Sequence, residues 1–304
     1  MVLRVERVDT AAAPPAWFTA ALAAPVTEGA ADLDGVRIAY RMWGGPAGRG
    51  VVLVHGGAAH SRWWDHIAPL LAVGRRVIAI DLSGHGDSGR RPSYDFDVWA
   101  QEILAAAGDA GFDAPPVVIG HSMGGLVTLR LAELAGSRIE GAVVIDVPIH
   151  DQAPEEVAAR RQRVFRQLHV YPTKEAALAR FRPVPDQPVL GYIADHVAET
   201  SVRRVDGGWT WKWDPPVFGR SEPRAPRTRL DCRVALFRAE HGILSAEMSD
   251  VMYDRLGRVA PVIEIPVAGH HIMLDQPIAL VAALRTLLSD WDHSLPAGPR
   301  DDGY

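Results

Sequence analysis

The sequence predicts an α/β fold: a mostly parallel central sheet flanked by helices, with an inserted, mainly helical cap. Three observations carry this. Short, nearly continuous apolar runs recur along the chain, helix-like stretches separate them, and one interval near the middle breaks the alternation. Strands buried on both faces of a parallel sheet read as unbroken Val/Ile/Leu runs rather than as alternating ones.

In chain order the strand candidates are Val36–Met42, Val51–Val54, Val77–Ile80, Val117–Ile119, Ala142–Ile145, Val234–Phe237 and Val262–Pro266. Between or after them fall helical candidates over Trp64–Leu71, Asp97–Ala110, Met123–Leu134, Ala246–Leu256 and Ile278–Leu288. From about Pro148 to Leu230 the rhythm lapses. That interval offers polar helices over Pro154–Leu168, Thr173–Phe181 and Pro188–Glu199, then a Pro- and Trp-rich stretch through Pro226. The expected organisation is a core over 1–147 and 231–295, a cap at 148–230 and a polar, mobile tail at 296–304. The N-terminal residues, to about position 30, are expected to pack on the domain surface.

Composition bounds the partners. A net charge of −5 gives no electrostatic case for nucleic acid or an anionic membrane. The single cysteine, Cys232, excludes an intramolecular disulfide framework and a Cys-rich metal site. The apolar run Ala16–Val26 follows Glu6, Asp9 and Pro14-Pro15 rather than a cationic segment, unlike a signal peptide. No apolar stretch approaches the roughly 20 residues that span a bilayer. The expectation is a soluble, cytoplasmic protein acting on a small molecule; oligomeric state is not legible.

Residues 120–125, Gly-His-Ser-Met-Gly-Gly, place Ser122 where an apolar strand turns sharply into a helix. Such a turn strains the central residue and projects its hydroxyl. A serine needs a base to become a nucleophile. His270 follows the last strand candidate in Val267-Ala268-Gly269-His270, with His271 its immediate rival. A third group must orient the imidazole. Asp146, closing Ala142–Ile145, and Glu240, just beyond Val234–Phe237, both stand at C-terminal strand ends, where α/β sheets place their sites. An oxyanion needs two backbone donors: the amide of Met123, and one from the loop His55-Gly56-Gly57-Ala58, assigned to Gly57.

Neither metal nor dissociable cofactor is implied. His241, His270, His271 and Asp275 lack a His-Glu-x-x-His spacing, and Gly120-His121-Ser122 has no G-x-G-x-x-G register. Trp63 and Trp64 follow the oxyanion loop and are expected to border the substrate pocket at the acyl site. Trp209, Trp211 and Trp213 alternate at period two, which sets them on one face of an extended segment. They form either a wall for a bulky apolar or aromatic substrate, with Trp211 at its centre, or a staple fastening the cap.

The order His55-Gly56-Gly57, Asp81-Leu82-Ser83-Gly84-His85-Gly86-Asp87-Ser88, Gly120–Gly125 and Gly269-His270 resembles the α/β-hydrolase superfamily, outside the cap. The resemblance implies the triad order nucleophile, acid, histidine. It also makes Asp81–Ser88 a structural turn without chemistry. The family commonly places its acid after the penultimate strand; here Ala239-Glu240-His241-Gly242 has glycine at that point. Other members place it one strand earlier, which Asp146 matches, leaving Glu240 as the alternative acid. Serine at the elbow, rather than the carboxylate of dehalogenases and epoxide hydrolases, implies acyl transfer of the carboxylesterase kind. Two alternatives stay open. One is a meta-cleavage carbon–carbon hydrolase, although His271 stands where those typically carry Trp. The other is a ligand receptor on a hydrolase scaffold.

Overall fold

The computed structural model describes residues 7–8, 13–45, 50–147, 168–219 and 230–294. In chain order, β1 (Arg7–Val8) and α1 (Ala16–Leu22) precede a hairpin of β2 (Thr27–Leu33) and β3 (Val36–Trp43). The hairpin turns at Asp34-Gly35, where φ is 55° and 75°, a left-handed pair suited to a two-residue connection. β4 (Gly50–Val54), a 3₁₀ turn at Ser61–Trp64, α2 (Ala68–Leu71), β5 (Arg76–Ile80) and α3 (Phe96–Asp109) follow. Then come β6 (Val117–His121), α4 (Met123–Ala135) and β7 (Gly141–Ile145).

Residues 168–219 hold α5 (Lys174–Leu178), β8 (Val189–Leu190), α6 (Gly191–Thr200) and a small hairpin, β9 (Val202–Val205) with β10 (Gly208–Trp211). The chain returns through β11 (Arg233–His241), α7 (Ala246–Arg255), β12 (Val262–Gly269), α8 (Ile272–Asp275) and α9 (Pro277–His293). The main sheet runs β12-β11-β7-β6-β4-β5-β3-β2. Every pairing from β12 to β5 is parallel; β3 and β2 continue it antiparallel. The chain leaves β4 for β5 on one side and adds β6 on the other. The C-terminal ends of β4, β6, β7 and β12 therefore open on one edge, around the crevice where α/β sheets bind ligands.

Each central strand buries both faces. In β4, Val51 and Leu53 join the core layer with α1, α2, α6 and α9, while Val52 and Val54 join the layer with α3, α4 and α7. Burying each such side chain fully contributes about 1.5–3 kcal/mol. Helix starts follow local chemistry: Asp95, Thr173 and Ser245 accept from Val98 N, Ala176 N and Met248 N at the starts of α3, α5 and α7.

Within the N-terminal stretch, Phe18 of α1 is 3% exposed in the core, and Thr27–Leu33 adds β2 as a further sheet strand. Three expectations change. The stretch Trp64–Leu71 divides into the 3₁₀ turn and α2, which restarts with Pro69 in its first turn, where proline's missing N–H costs nothing. Pro188–Glu199 begins as a strand, because β8 pairs in parallel with β1 before α6 starts. Thr173–Phe181 shortens to α5. The helix expected over Pro154–Leu168, but for its last residue, and the tail at 296–304 lie outside the described residues. Among the described residues, no helix is long and apolar enough to cross a membrane.

Candidate active site

Ser122 joins β6 to α4 with φ 52° and ψ −120°, a strained, left-handed conformation for a non-glycine residue. Its amide donates to Ile145 O of β7 at 3.0 Å, which ties the elbow to the neighbouring strand. The turn is this tight because Gly124 has no side chain: a Cβ there would lie 2.5 Å from His55 O and 2.6 Å from Val54 O. Ser122 itself is half-buried.

Asp146 closes β7 with φ 47° and is 0% exposed. Its Oδ2 accepts from His270 Nδ1 at 2.7 Å and from Ile243 N at 2.9 Å; Oδ1 accepts from Ala239 N at 3.2 Å. Burial alone would raise its pKa. The His270 hydrogen bond and the backbone amides outweigh burial and hold the carboxyl below its ordinary value. Gly242 makes room for this, since a Cβ there would collide with the Asp146 carboxylate.

The imidazole pairing goes to His270, not His271. The His271 Nε2–H donates to Val184 O at 3.1 Å, and its ring lies 5.4 Å from Trp63. Burial, then the neighbouring His270 and His121, push His271 well below the usual imidazole range, so it is neutral. Glu240 is exposed, and its Oε2 accepts from Val267 N at 2.7 Å, where it braces a left-handed residue of β12.

The loop after β4 meets the elbow directly. A Cβ on Gly56 would sit 3.1 Å from His121 Nδ1 and 3.3 Å from Ser122 Cβ. His55 is buried, and Leu82 N donates to its Nε2 at 3.1 Å. The proton is thereby on Nδ1, which donates to Gly56 O at 2.7 Å. Burial lowers the His55 pKa, consistent with this neutral tautomer. Because a peptide unit is planar and trans, pinning the Gly56 carbonyl points the Gly57 N–H the opposite way. Gly57 is exposed, with Met123 and Phe218 as its neighbours. The Met123 amide stands in the first turn of α4, where N–H groups have no intrahelical acceptor.

Four contributors have little or no sequence signal as site residues. His55 was visible only as part of a small-residue loop. His121, adjoining Ser122, donates from Nε2 to His270 O at 2.9 Å. Burial and His270 lower it to about 3, so it too is neutral. Asp275 and Gln187 hold the loop around His270 through Gly269 N and His271 N. One ring nitrogen from each of His121, His270 and His271 lies within 4.8 Å of the others. The grouping imagined with His241 and Asp275 is therefore not the one that forms. Each of these three rings already spends a nitrogen on a protein partner.

The tryptophans divide. Trp63 is 7% exposed between His271 and Phe181. Trp64 is 0% exposed within the core, so it faces packing rather than open space. Of the face expected for Trp209, Trp211 and Trp213, β10 carries Trp209 and Trp211 and ends there, so Trp213 lies beyond the strand. Trp209 lies beneath Lys174, Trp211 against Tyr171 and Phe181, and Trp213 edge-on to Phe218.

A family model described as the alpha/beta hydrolase family matches residues 51–284. The chain is 28% identical over 260 residues to esterase Rv0045c of Mycobacterium tuberculosis, covering 81% of this chain and 84% of that esterase. It is 27% identical over 253 residues to esterase YbfF of Escherichia coli, covering 79% and 93%. Among solved structures, E-2-(acetamidomethylene)succinate hydrolase superposes with a TM-score of 0.75 at 20% identity, over 87% of this chain and 100% of that one.

Proposed function

The chain belongs to the alpha/beta hydrolase family, and from that premise we propose that it hydrolyses an ester-like bond through an acyl-enzyme on Ser122. The substrate class is a carboxylic ester, lactone or thioester. The observation that carries the reading is the 2.7 Å hydrogen bond from His270 to a buried Asp146, beside a strained serine on the same sheet edge. The two esterase relatives support it.

In this mechanism His270 Nε2 takes the Ser122 Oγ proton as the oxygen attacks the carbonyl carbon. The oxyanion accepts from the N–H groups of Gly57 and Met123. Collapse expels the alcohol or thiol, which takes its proton from His270. Water, deprotonated by the same imidazole, then frees the acid. Asp146 stays ionised and stabilises the imidazolium. Residues 168–219 serve as a cap, and Trp63, Phe181, Trp211 and Phe218 give the site an apolar border suited to an apolar or aromatic substrate. Glu240 plays no catalytic part. We place the enzyme in the cytoplasm, acting on a small molecule.

The test is turnover of a panel of p-nitrophenyl esters, thioesters and lactones, with fluorophosphonate labelling, for wild type and Ser122→Ala. Wild type is expected to turn over and label; the variant is expected to do neither. Equal inertness of both proteins across the panel would overturn the reading in favour of a ligand-binding role. Faster cleavage of a vinylogous diketone than of any ester would move it to carbon–carbon hydrolysis.

A further inference from the structure

A catalytic imidazole is useful only if its backbone stays put, since a misplacement of about 1 Å costs roughly 10²-fold in rate. The loop Gly269-His270-His271 lies at the junction of β12 and α8, and its backbone is held by side chains from elsewhere in the chain. Resting on the hydrolase reading above, we propose that Gln187, from the segment between β7 and β11, is a positioning residue for His270. With Asp275, its side-chain amide fixes the backbone groups on either side of the base.

The geometry is closed. His271 N donates to Gln187 Oε1 at 2.7 Å. Gln187 Nε2 donates to Asp275 Oδ2 at 2.9 Å, and more weakly to His271 O at 3.4 Å. The same Asp275 oxygen accepts from Gly269 N at 2.6 Å. A Cβ on Gly269 would lie 2.8 Å from the Gln187 amide, so that amide lies directly against the loop backbone. Gln187 is 8% exposed, and a buried amide of this kind is worth keeping only when its donors and acceptors are used. Three residues upstream, Val184 O accepts from the His271 ring. The stretch Val184–Gln187 thus grips the loop through backbone and side chain together. On the other side, His121 holds His270 O and Asp146 holds the ring.

The bland alternative is that Gln187 merely fastens its own segment to the core. The two roles separate because fastening can be weakened elsewhere. Gln187→Met keeps the length and volume of the side chain and removes all of its hydrogen bonds. Val197→Ala loosens the same segment at a fully buried position of α6, within the core cluster and without a hydrogen-bonding side chain of its own.

Three readouts are taken on each protein: ester kinetics, the rate of fluorophosphonate labelling of Ser122, and the downfield NMR resonance of the His270–Asp146 proton. Gln187→Met is expected to lose about 10²-fold in kcat and in labelling rate, with KM within a few-fold, and to broaden or lose the downfield resonance. Val197→Ala is expected to melt earlier than wild type while keeping its labelling rate and resonance. Wild-type labelling by Gln187→Met overturns the proposal. So does an equal loss in Val197→Ala, which would mean general loosening. If Gln187→Met does not fold, Gln187→Asn, which withdraws the amide by one methylene, takes its place with the same direction of effect, and wild-type labelling by it overturns the proposal equally. Failure of wild type itself to label would instead sink the hydrolase reading.

Discussion

Asp146 and Glu240 were equivalent by position in the strand pattern, and their surroundings separate them. Asp146 accepts from His270 and three backbone amides; Glu240 is spent on Val267 N at the surface. Asp146→Asn is accordingly expected to cut ester kcat by about 10⁴-fold, because the amide holds the wrong imidazole tautomer and cannot balance its cation. Glu240→Gln should leave kcat within a few-fold, and steady-state kinetics on one ester settles both. Ser122, His270 and the glycines around them were legible because a strained turn and an oxyanion loop demand small residues at fixed offsets. Gln187 was not. Its partners lie 84 and 88 residues away in sequence, and an isolated glutamine carries no pattern.

Among elements, the parallel strands were legible because burial on both faces leaves unbroken apolar runs such as Val51–Val54. β2 was missed because Thr27–Leu33 is an outer, half-exposed antiparallel strand with alanine, glycine and acids in it. α1 is absent from the helical candidates because seven residues carry no visible helical period. Its packing shows what was missing. Phe18 lies with its ring 4.8 Å from Tyr192 and 5.8 Å from His66, so α1 wedges between α6 and the turn before α2. Phe18→Ala is expected to cost about 3–5 kcal/mol, as large-to-small changes at aromatic core sites do. Equilibrium urea unfolding measures it; a loss under 1 kcal/mol would mean that α1 is only laid on the surface.

For the whole molecule, the buried histidines dominate the response to acid. Burial holds His66 down to about 4, and burial with His270 beside it holds His121 to about 3; His55, His60 and His271 are lowered as well. Each is neutral when folded and takes up a proton near pH 6.5 when unfolded. The unfolded state therefore binds more protons below that pH, and stability falls as pH drops from about 6.5 toward 4. Two buried carboxyls oppose this: burial raises Asp275 to about 7, so its protonated form favours the folded state over roughly pH 4–7, and burial raises Glu102 as well. Five histidines outweigh two carboxyls. The urea midpoint at pH 5 is expected to lie clearly below that at pH 7.5, and an equal or higher midpoint at pH 5 would contradict this. None of this was readable from composition, which counts twelve histidines without saying which ones the core encloses.

The strand order also sets a schedule for synthesis. β7 ends at Ile145, yet the strand that covers its open side, β11, begins at Arg233. A ribosome adding roughly 5–20 residues per second leaves Gly-Ala-Val-Val-Ile as an unpaired, wholly apolar edge for on the order of ten seconds. Free edges of that composition recruit other strands. A chain stopped between residues 147 and 230 would carry the exposed edge permanently, and a holdase chaperone should be found on such nascent chains and leave once β11 is made.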